Sequence, residues 1–364
     1  MYDNDETRLY VRDDFSGLGQ LLEGEREVFL VYDRNVARFA EEVLRQSGRI
    51  KASMAIDATE AAKTMDTVMS ICRFLLENGA DRNALVLSLG GGVTTDMSGF
   101  AATIFKRGVR YANLPTTLLS QVDAGLGGKT GVNLDGFKNI LGRIQQPEFV
   151  YISSCTLETL PEAEYRSGLA EMLKTFIIAD APHYRRAMGF IKGGRIIEDW
   201  NGNVMESGGS EVDRWVDSEL IREAAGIKCR IVERDEFETG ERRVLNLGHT
   251  VGHAVEWWQA EVAAERQYSH GEAVAIGIIA AAKLSEVLGI CEKGLAAQLE
   301  ADFKLAGLPT ECPVSIDVLE KAISRDKKAE GDAVNFVLIR EIGRTEVRLM
   351  PVGSIIRALE TANI

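Results

Sequence analysis

Three of the four histidines in this chain lie close together. His249 and His253 are four residues apart in a segment of helical character, which would place them one turn apart on one helix face. His270 begins a second, apolar stretch that is typical of a buried helix. Imidazoles with a carboxylate suit zinc at sites that keep one position open. The spacing predicts a divalent metal site, although each histidine alone could be a hydrogen-bonded core residue.

The same histidine spacing occurs in zinc proteases, in which a glutamate after the first histidine is the general base. Thr250 occupies that position here, which argues against a metalloprotease. Glu171 and Lys174 lie three residues apart in a helical pattern from Pro161 to Ala179. Such pairs usually face solvent, but the apolar residues around this one favour burial. We expect a partly buried Glu171 to complete the metal site.

A run of three glycines, Gly90 to Gly92, follows a buried strand pattern and precedes a helix. Backbone N–H groups at such a turn can approach a pyrophosphate closely. The run does not match the G-x-G-x-x-G of dinucleotide-binding folds, so a plain tight turn remains an alternative. Residues 116–133 are predicted to form a long polar loop, and its Lys129 offers charge to an anionic ligand. A solvated loop with incidental lysines is the alternative there.

Composition narrows the class of protein. The 364 residues are 45% hydrophobic and 27% charged, and the net charge of −13 disfavours nucleic acid or an anionic membrane as a partner. Five scattered cysteines without C-x-x-C spacing indicate reduced thiols in a cytoplasmic protein. The start of the chain has no apolar region typical of a secretory signal, and no apolar run approaches the roughly 20 residues of a spanning helix. The G-x-S-x-G pattern of acyl-transfer enzymes is absent.

The periodicities predict two domains. A strand at Val28 to Tyr32, a polar turn and a helix open a βαβ pattern, and a helix is expected from Glu60 to Asn78. From about residue 155 the pattern changes to long helices, so we predict an α/β domain over 1–154 and a mainly α-helical domain over 155–364. A helix from about Glu219 to Glu233 would carry Lys228, and two strands and a helix would end the chain. The segment before residue 28 shows no recognisable pattern.

Five motifs, in this order, resemble those of the 3-dehydroquinate synthase family: G-G-G-V-T-T-D-M-S-G-F, L-P-T-T-L-L-S-Q-V-D-A-G-L-G-G-K-T-G-V-N, G-L-A-E-M-L-K, L-N-L-G-H-T-V-G-H and H-G-E-A-V-A-I-G. The resemblance implies a Rossmann-like NAD-binding domain, a helical metal- and substrate-binding domain, a homodimer, and NAD with zinc or cobalt as cofactors. The substrate would be an anionic sugar phosphate, 3-deoxy-D-arabino-heptulosonate 7-phosphate. Transient oxidation at C5, loss of phosphate, return of the hydride and an aldol closure would yield 3-dehydroquinate.

The same resemblance implies roles for individual residues. The metal ligands would be Glu171, His249 and His270, so His253 would lie near the substrate phosphate instead of the metal. The catalytic group would be Lys129, Lys174, Lys228, Arg242, Asn246 and His253. The substrate would contact Asp123, Lys138, Asn139, Lys327 or Lys328, and an Arg107 contributed across the dimer interface. NAD would contact Asp33, Asn35, Glu60, Lys63, Gly91, Gly92, Asp96, Thr116 and Thr117.

The sequence leaves three alternative functions to consider. A metal-dependent polyol dehydrogenase of the glycerol type would share NAD and the metal but has less need of so many cations. Another sugar-phosphate cyclase is closer, yet Arg242, whose planar fork suits a carboxylate, argues against substrates that lack one. A homologue without activity would be expected to have lost a metal ligand or a phosphate-binding cation, and none is missing.

Overall fold

The computed structural model describes residues 8–25, 27–135, 137–192, 196–198, 204–206, 218–262, 267–325 and 333–364. The chain divides into two compact units. The first unit comprises Met1–Pro161 and Asp217–Phe237, and the second comprises Glu162–Val216 and Glu238–Ile364. Among the described helices, none combines the length and the apolar character that crossing a membrane would need.

The strands, in chain order, are β1 (Arg8–Arg12), β2 (Val28–Asp33), β3 (Ile50–Ile56), β4 (Leu85–Gly90), β5 (Arg110–Pro115), β6 (Lys129–Leu134), β7 (Phe137–Ile144), β8 (Phe149–Ser153), β9 (Ile196–Glu198), β10 (Val204–Glu206), β11 (Ala333–Glu341) and β12 (Arg344–Pro351). The helices are α1 (Leu18–Leu21), α2 (Ala37–Ser47), α3 (Met65–Glu77), α4 (Gly92–Ile104), α5 (Glu162–Ala179), α6 (Ala181–Ile191), α7 (Ser218–Arg234), α8 (His249–Glu261), α9 (His270–Val287), α10 (Leu295–Leu305), α11 (Ile316–Arg325) and α12 (Val352–Thr361).

A six-stranded parallel sheet, in the order β1-β8-β5-β4-β2-β3, forms the centre of the first unit. Successive residues of a strand point to opposite faces, and both faces of this sheet are covered. Val28 and Leu30 of β2 pack with α1 and α2, whereas Phe29 and Val31 pack with α3 and α4. Burial on both faces explains why β2 and β4 read as continuous apolar runs.

Helix α9 is the buried centre of the second unit. Its residues are apolar or small on nearly every side, as expected for a helix surrounded by others. It packs against α5, α8, α10 and α12, and the antiparallel hairpin β11–β12 lies against it. The predicted fold class, a parallel α/β domain followed by a mainly helical one, is therefore confirmed.

Several local expectations need correction. The segment predicted as a loop, 116–133, contains a π-helical turn, Ser120–Ala124, and the strand β6. Gly131 serves strand pairing, because it lies opposite Gly142, where a side chain would meet the carbonyl oxygen of Leu141 at 2.6 Å. The segment before residue 28, which showed no pattern, supplies β1 as an edge strand paired with β8.

Two boundaries also differ from the expected ones. The helix expected from residue 60 begins at Met65, because the Thr64 hydroxyl accepts a hydrogen bond from the Thr67 N–H and caps it. Only a short 3-10 turn, Glu60–Ala62, precedes it. By its contacts, α7 belongs with the first unit although it follows α5 and α6 in the chain. The division into domains at residue 154 stays a prediction.

Candidate active site

Close backbone packing of α5 against α9 places Glu171 in the second unit. The Gly271 N–H donates to the Ser167 hydroxyl at 3.0 Å, and a Cβ on Gly271 would lie 2.1 Å from the Ser167 carbonyl oxygen. Only glycine permits this approach. One turn beyond Ser167 in α5, the Glu171 side chain is fully buried. The contact therefore brings the first turn of α9 beside this carboxylate.

The start of α8 is fixed by a second close contact. Gly248 has φ +79°, a left-handed conformation that favours glycine, and a Cβ on Gly277 of α9 would lie 1.8 Å from the Gly248 carbonyl oxygen. Helix α8 begins at the next residue, His249. The Nδ1 of His249 lies 3.1 Å from the Leu247 carbonyl oxygen, which can only accept. Nδ1 therefore carries the proton, and Nε2 faces Glu171 with a free lone pair.

A capping box sets the start of α9. The Ser269 hydroxyl accepts from the Glu272 N–H, and the Glu272 carboxylate accepts from the Ser269 N–H. His270 is thus the first helical residue. Its Nε2 lies 3.5 Å from Glu171 Oε1, and its Nδ1 lies 3.5 Å from Glu256 Oε1.

Glu171, His249 and His270 form a group whose donor atoms all lie within 4.8 Å of one another. Glu171 Oε1 is 3.9 Å from His249 Nε2, which is too long for a hydrogen bond. Lys174 Nζ lies 2.5 Å from Oε2, yet neither oxygen has a partner of normal hydrogen-bond geometry. A buried carboxylate with two imidazole nitrogens is a donor set that fits zinc or cobalt, with a further position left for substrate.

The three side chains of this group differ in how their surroundings shift their pKa values. Burial would raise the pKa of Glu171, but Lys174 and the two imidazoles outweigh it and hold that pKa well below its ordinary value. Burial, reinforced by Lys174, lowers the pKa of His249 to about 3, so this imidazole is neutral. Burial also opposes the charge of His270, but the carboxylates of Glu171 and Glu256 raise its pKa to about 10. A divalent cation would compete with that proton.

His253 lies apart from the metal group. It is exposed, and its ring centre is 5.3 Å from that of His249 and 6.5 Å from that of His270. The three-histidine set that spacing suggests is therefore not the group that the structure brings together. The group instead contains the three residues that the family resemblance implied as ligands.

The other predicted residues of the second unit lie in and around a 3-10 turn, Glu241–Asn246. Arg242 is buried in this turn, with 2% of its surface exposed. The Asn246 amide donates to Glu238 Oε1 at 2.5 Å. Lys327 and Lys328, predicted to contact substrate, lie outside the described residues.

In the first unit, the predicted nucleotide site lies where parallel strands end. Strand β3 lies on one side of β2, whereas the next strands in the chain, β4 and β5, lie on the other side. The strand order therefore reverses between β2 and β4, and ligands bind at such reversals. Asp33 ends β2 and accepts from the Asn35 N–H at 2.9 Å. Gly91 caps α4, and Gly92 is its first residue. Thr116 and Thr117 directly follow β5, at the same edge of the sheet.

A polar network in the first unit joins residues far apart in sequence. The Lys63 ammonium donates to Asp96 and to the Asn139 side chain, both at 2.6 Å. The Asn133 amide donates to Glu60 at 2.7 Å, and its oxygen accepts from the Asn139 N–H. Burial raises the pKa of Asp96 to about 6 although Lys63 opposes this. Sequence reasoning missed Asn133, which ends the quoted K-T-G-V-N motif.

The predicted substrate-binding cations of the first unit differ in their surroundings. Lys228 of α7 is buried and donates to the Asp123 carboxylate at 2.6 Å and to the Asp123 carbonyl at 2.8 Å. Lys129 and Lys138 are exposed on the β6–β7 hairpin. Arg107 is also exposed, and its φ of +71° is unusual for a residue with a side chain.

These features define a class: an α/β protein with a glycine turn suited to a pyrophosphate and a separate helical unit holding a Glu-His-His metal group. Family models match this chain over residues 53–167, 3-dehydroquinate synthase N-terminal, and 168–329, 3-dehydroquinate synthase C-terminal. The chain belongs to the 3-dehydroquinate synthase family.

Individual relatives agree with this assignment. The chain is 40% identical to a 3-dehydroquinate synthase of Legionella pneumophila (strain Corby), over 78% of this chain and 72% of that protein. It is 37% identical to one from Clostridium tetani, over 90% of this chain and 83% of that protein. A solved structure of 2-epi-5-epi-valiolone synthase from Streptomyces hygroscopicus subsp. jinggangensis, with NAD+ and Zn2+ bound, matches with a TM-score of 0.81 and 26% identity, covering 100% and 98% of the two chains.

Proposed function

We propose that this protein is a 3-dehydroquinate synthase, a lyase that converts 3-deoxy-D-arabino-heptulosonate 7-phosphate to 3-dehydroquinate and phosphate. The observation that carries the proposal is the Glu171, His249 and His270 group in a member of this family. When bound, NAD would accept and return a hydride at C5, and a divalent cation would make the C5 hydroxyl more acidic.

Different residues of the chain would hold the metal and NAD. Glu171, His249 and His270 would be the metal ligands, and Lys174 would balance the Glu171 charge from 2.5 Å. The N-terminus of α4, at Gly92, would present backbone N–H groups to the NAD pyrophosphate. Lys63, Asp96 and the other predicted cofactor residues would enclose the rest of the dinucleotide.

Loss of phosphate is the step for which the cations are proposed. Removal of the C6 proton and departure of the phosphate follow once C5 is a ketone, and the phosphate itself can take that proton. The protein then mainly needs fixed positive charge to orient the phosphate. Lys228, held at 2.6 Å by Asp123, is preorganised for such a role, and Lys129 and Lys138 are candidates. The substrate carboxylate would be bound bidentately by Arg242.

Release of inorganic phosphate from the heptulosonate phosphate tests this function, with trace NAD, zinc and a continuous record of NADH absorbance. We expect phosphate release without net NADH, since each hydride is returned. NADH accumulation on glycerol with no phosphate release would place the protein among polyol dehydrogenases. Phosphate release only from a sugar phosphate that lacks a carboxylate would place it among the other cyclases.

Two further properties belong to the same proposal. A homodimer is expected, with Arg107 of each copy reaching the substrate of the other, and the exposure of Arg107 supports this. A cytoplasmic location is expected of a biosynthetic enzyme with reduced cysteines. Mixing an Arg107→Ala variant with a variant disabled at Glu171 tests the dimer, because mixed dimers would regain part of the activity that each variant lacks.

A further inference from the structure

The two histidines of the metal group differ in what their outer nitrogens contact. His249 Nδ1 lies 3.1 Å from a neutral acceptor, the Leu247 carbonyl oxygen. His270 Nδ1 lies 3.5 Å from a charged acceptor, the Glu256 carboxylate. Metal-binding histidines usually direct their second ring nitrogen to such a partner, which fixes the tautomer and strengthens the ligand. Of the two partners, the carboxylate is the one that carries a full negative charge.

We propose that Glu256 is a positioning residue for the metal site and sets the affinity of His270 for the cation, an inference that rests on the proposed function. The carboxylate would hold the ring with Nε2 towards Glu171, which lies 3.5 Å away. Its negative charge would make the His270 imidazole a better electron donor. Glu256 lies outside the donor group of Glu171, His249 and His270, so it would act on the cation through His270.

The placement of Glu256 follows from helix periodicity. It lies seven residues after His249, which is two turns along α8 and on the same face. Helix α8 therefore supplies one ligand directly and, two turns later, the carboxylate that orients the ligand from α9. The Glu256 side chain is 14% exposed, so its interaction with His270 is only weakly screened by solvent.

Zinc affinity of the full-length protein tests this role. After the metal is stripped with a chelator, zinc is returned in competition with a chromophoric chelator. We expect Glu256→Gln, which keeps an acceptor but loses the charge, to weaken zinc binding about 10- to 100-fold. Glu256→Ala should weaken it at least as much. At saturating cobalt, the absorption bands of the Glu256→Gln protein should shift, since the ligand donated by His270 has changed.

Glu261→Gln is the matched control. Glu261 lies in the same helix and loses the same charge, but its side chain is 56% exposed and pairs with Arg325 at 3.7 Å. This variant should keep the parent's zinc affinity and cobalt spectrum. Equal zinc affinity and equal spectra for Glu256→Gln and Glu261→Gln would overturn the role of Glu256. A parent protein that binds no zinc would instead overturn the metal site of the proposed function.

Thermal melting of the metal-free proteins distinguishes a positioning role of Glu256 from a role in folding. A positioning role predicts that Glu256→Gln melts within a few degrees of the parent when both lack metal. If Glu256→Ala does not fold, the nearly isosteric Glu256→Gln decides alone. A large loss of metal-free stability in Glu256→Gln, with zinc affinity retained after refolding, would make Glu256 a structural residue and contradict the proposal.

Discussion

The two units provide contrasting polar sites. In the first unit, charged side chains satisfy one another: Lys63 bridges Asp96 and Asn139, and Lys228 is held by Asp123. In the second unit, the buried Glu171 pairs with Lys174 at 2.5 Å and also faces two imidazole nitrogens at 3.5 and 3.9 Å, but it has no hydrogen bond of normal geometry. The first set of side chains is paired internally, whereas the second presents a carboxylate and two imidazole nitrogens that a divalent cation would join. Metal should therefore matter far more to the second site.

The contrast is tested most severely at the histidines. His270→Ala removes a predicted ligand, and we expect zinc affinity to fall by more than the roughly 100-fold that loss of an outer partner can cost. His253→Ala, the matched control, should retain zinc but impair turnover, because its ring lies outside the donor group. Metal analysis of both purified variants checks this. Zinc lost from His253→Ala but kept in His270→Ala would reverse the ligand assignment.

Lys174→Met should be the most destabilising of the remaining changes. It leaves the buried Glu171 carboxylate without the ammonium that lies 2.5 Å from it, and breaking a buried pair costs about 3–5 kcal/mol. Saturating zinc should reduce this loss, since the cation neutralises the same carboxylate. Urea unfolding with and without zinc measures both values.

Arg166→Met is the control for that change, because Arg166 forms an exposed pair with Glu162 in the same helix. Its cost should stay within about 1 kcal/mol and should not depend on zinc. If zinc had the same effect on both variants, Glu171 would not be the group that zinc neutralises.

Asp96 offers a pH test of the first unit. Its folded pKa of about 6 lies above the ordinary 3.8, so the fold favours the protonated form. That contribution to stability is present at low pH and is lost as pH rises towards and through 6. Asp96→Asn has no such titration. Relative to the parent, we expect it to gain about 2 kcal/mol of unfolding free energy between pH 4.5 and 7.

Urea unfolding at the two pH values checks this, and Asp57→Asn serves as control because Asp57 is exposed and paired with Arg34. A difference between parent and Asp96→Asn that does not change with pH would mean that Asp96 is not held in a desolvating environment.

Among the changes expected to weaken ligand binding, Lys63→Met should have the smallest effect, and on NAD instead of zinc. Removing the ammonium leaves Asp96 and Asn139 without their shared donor, so we expect NAD affinity to fall about tenfold, or about 1.4 kcal/mol. Zinc affinity should not change. Lys51→Met, which removes an exposed ammonium paired with Glu27, should alter neither. Calorimetric titration with NAD and with zinc would separate the two sites, and a joint loss would contradict their independence.

Much of the first unit could be predicted from sequence because strands buried on both faces and glycine turns leave local patterns. The strands at Val28 and Arg110 were expected and are present. The start of the chain was missed, because β1 is a short edge strand whose burial depends on pairing with the distant β8. The 116–133 segment differs from the predicted loop because Gly131, a residue typical of loops, allows close pairing within the β6–β7 hairpin.

The metal group shows where local pattern reaches its limit. Helix periodicity places His249 and His253 on one face, but it cannot say which of them meets a residue from another helix. That choice depends on the packing of α5 and α8 onto α9, which is set by Gly271 and Gly248 contacts. The apolar surroundings of Glu171 already predicted its part in the site, whereas the family resemblance supplied the choice of His249 and His270 over His253, because it carries such three-dimensional information. Full burial of Glu171, expected only in part, follows from the same packing.

The grouping of α7 with the first unit has a consequence for biosynthesis. The chain passes from the first unit to the second after Pro161, returns at Asp217 and departs again after Phe237. On the ribosome, the first unit cannot be finished until residues 162–216 of the second have already emerged. A fragment ending near residue 161 would lack Lys228 and leave Asp123 without that partner. Each unit is therefore encoded by two separate stretches of the gene, and exchanging either unit would need more than one cut.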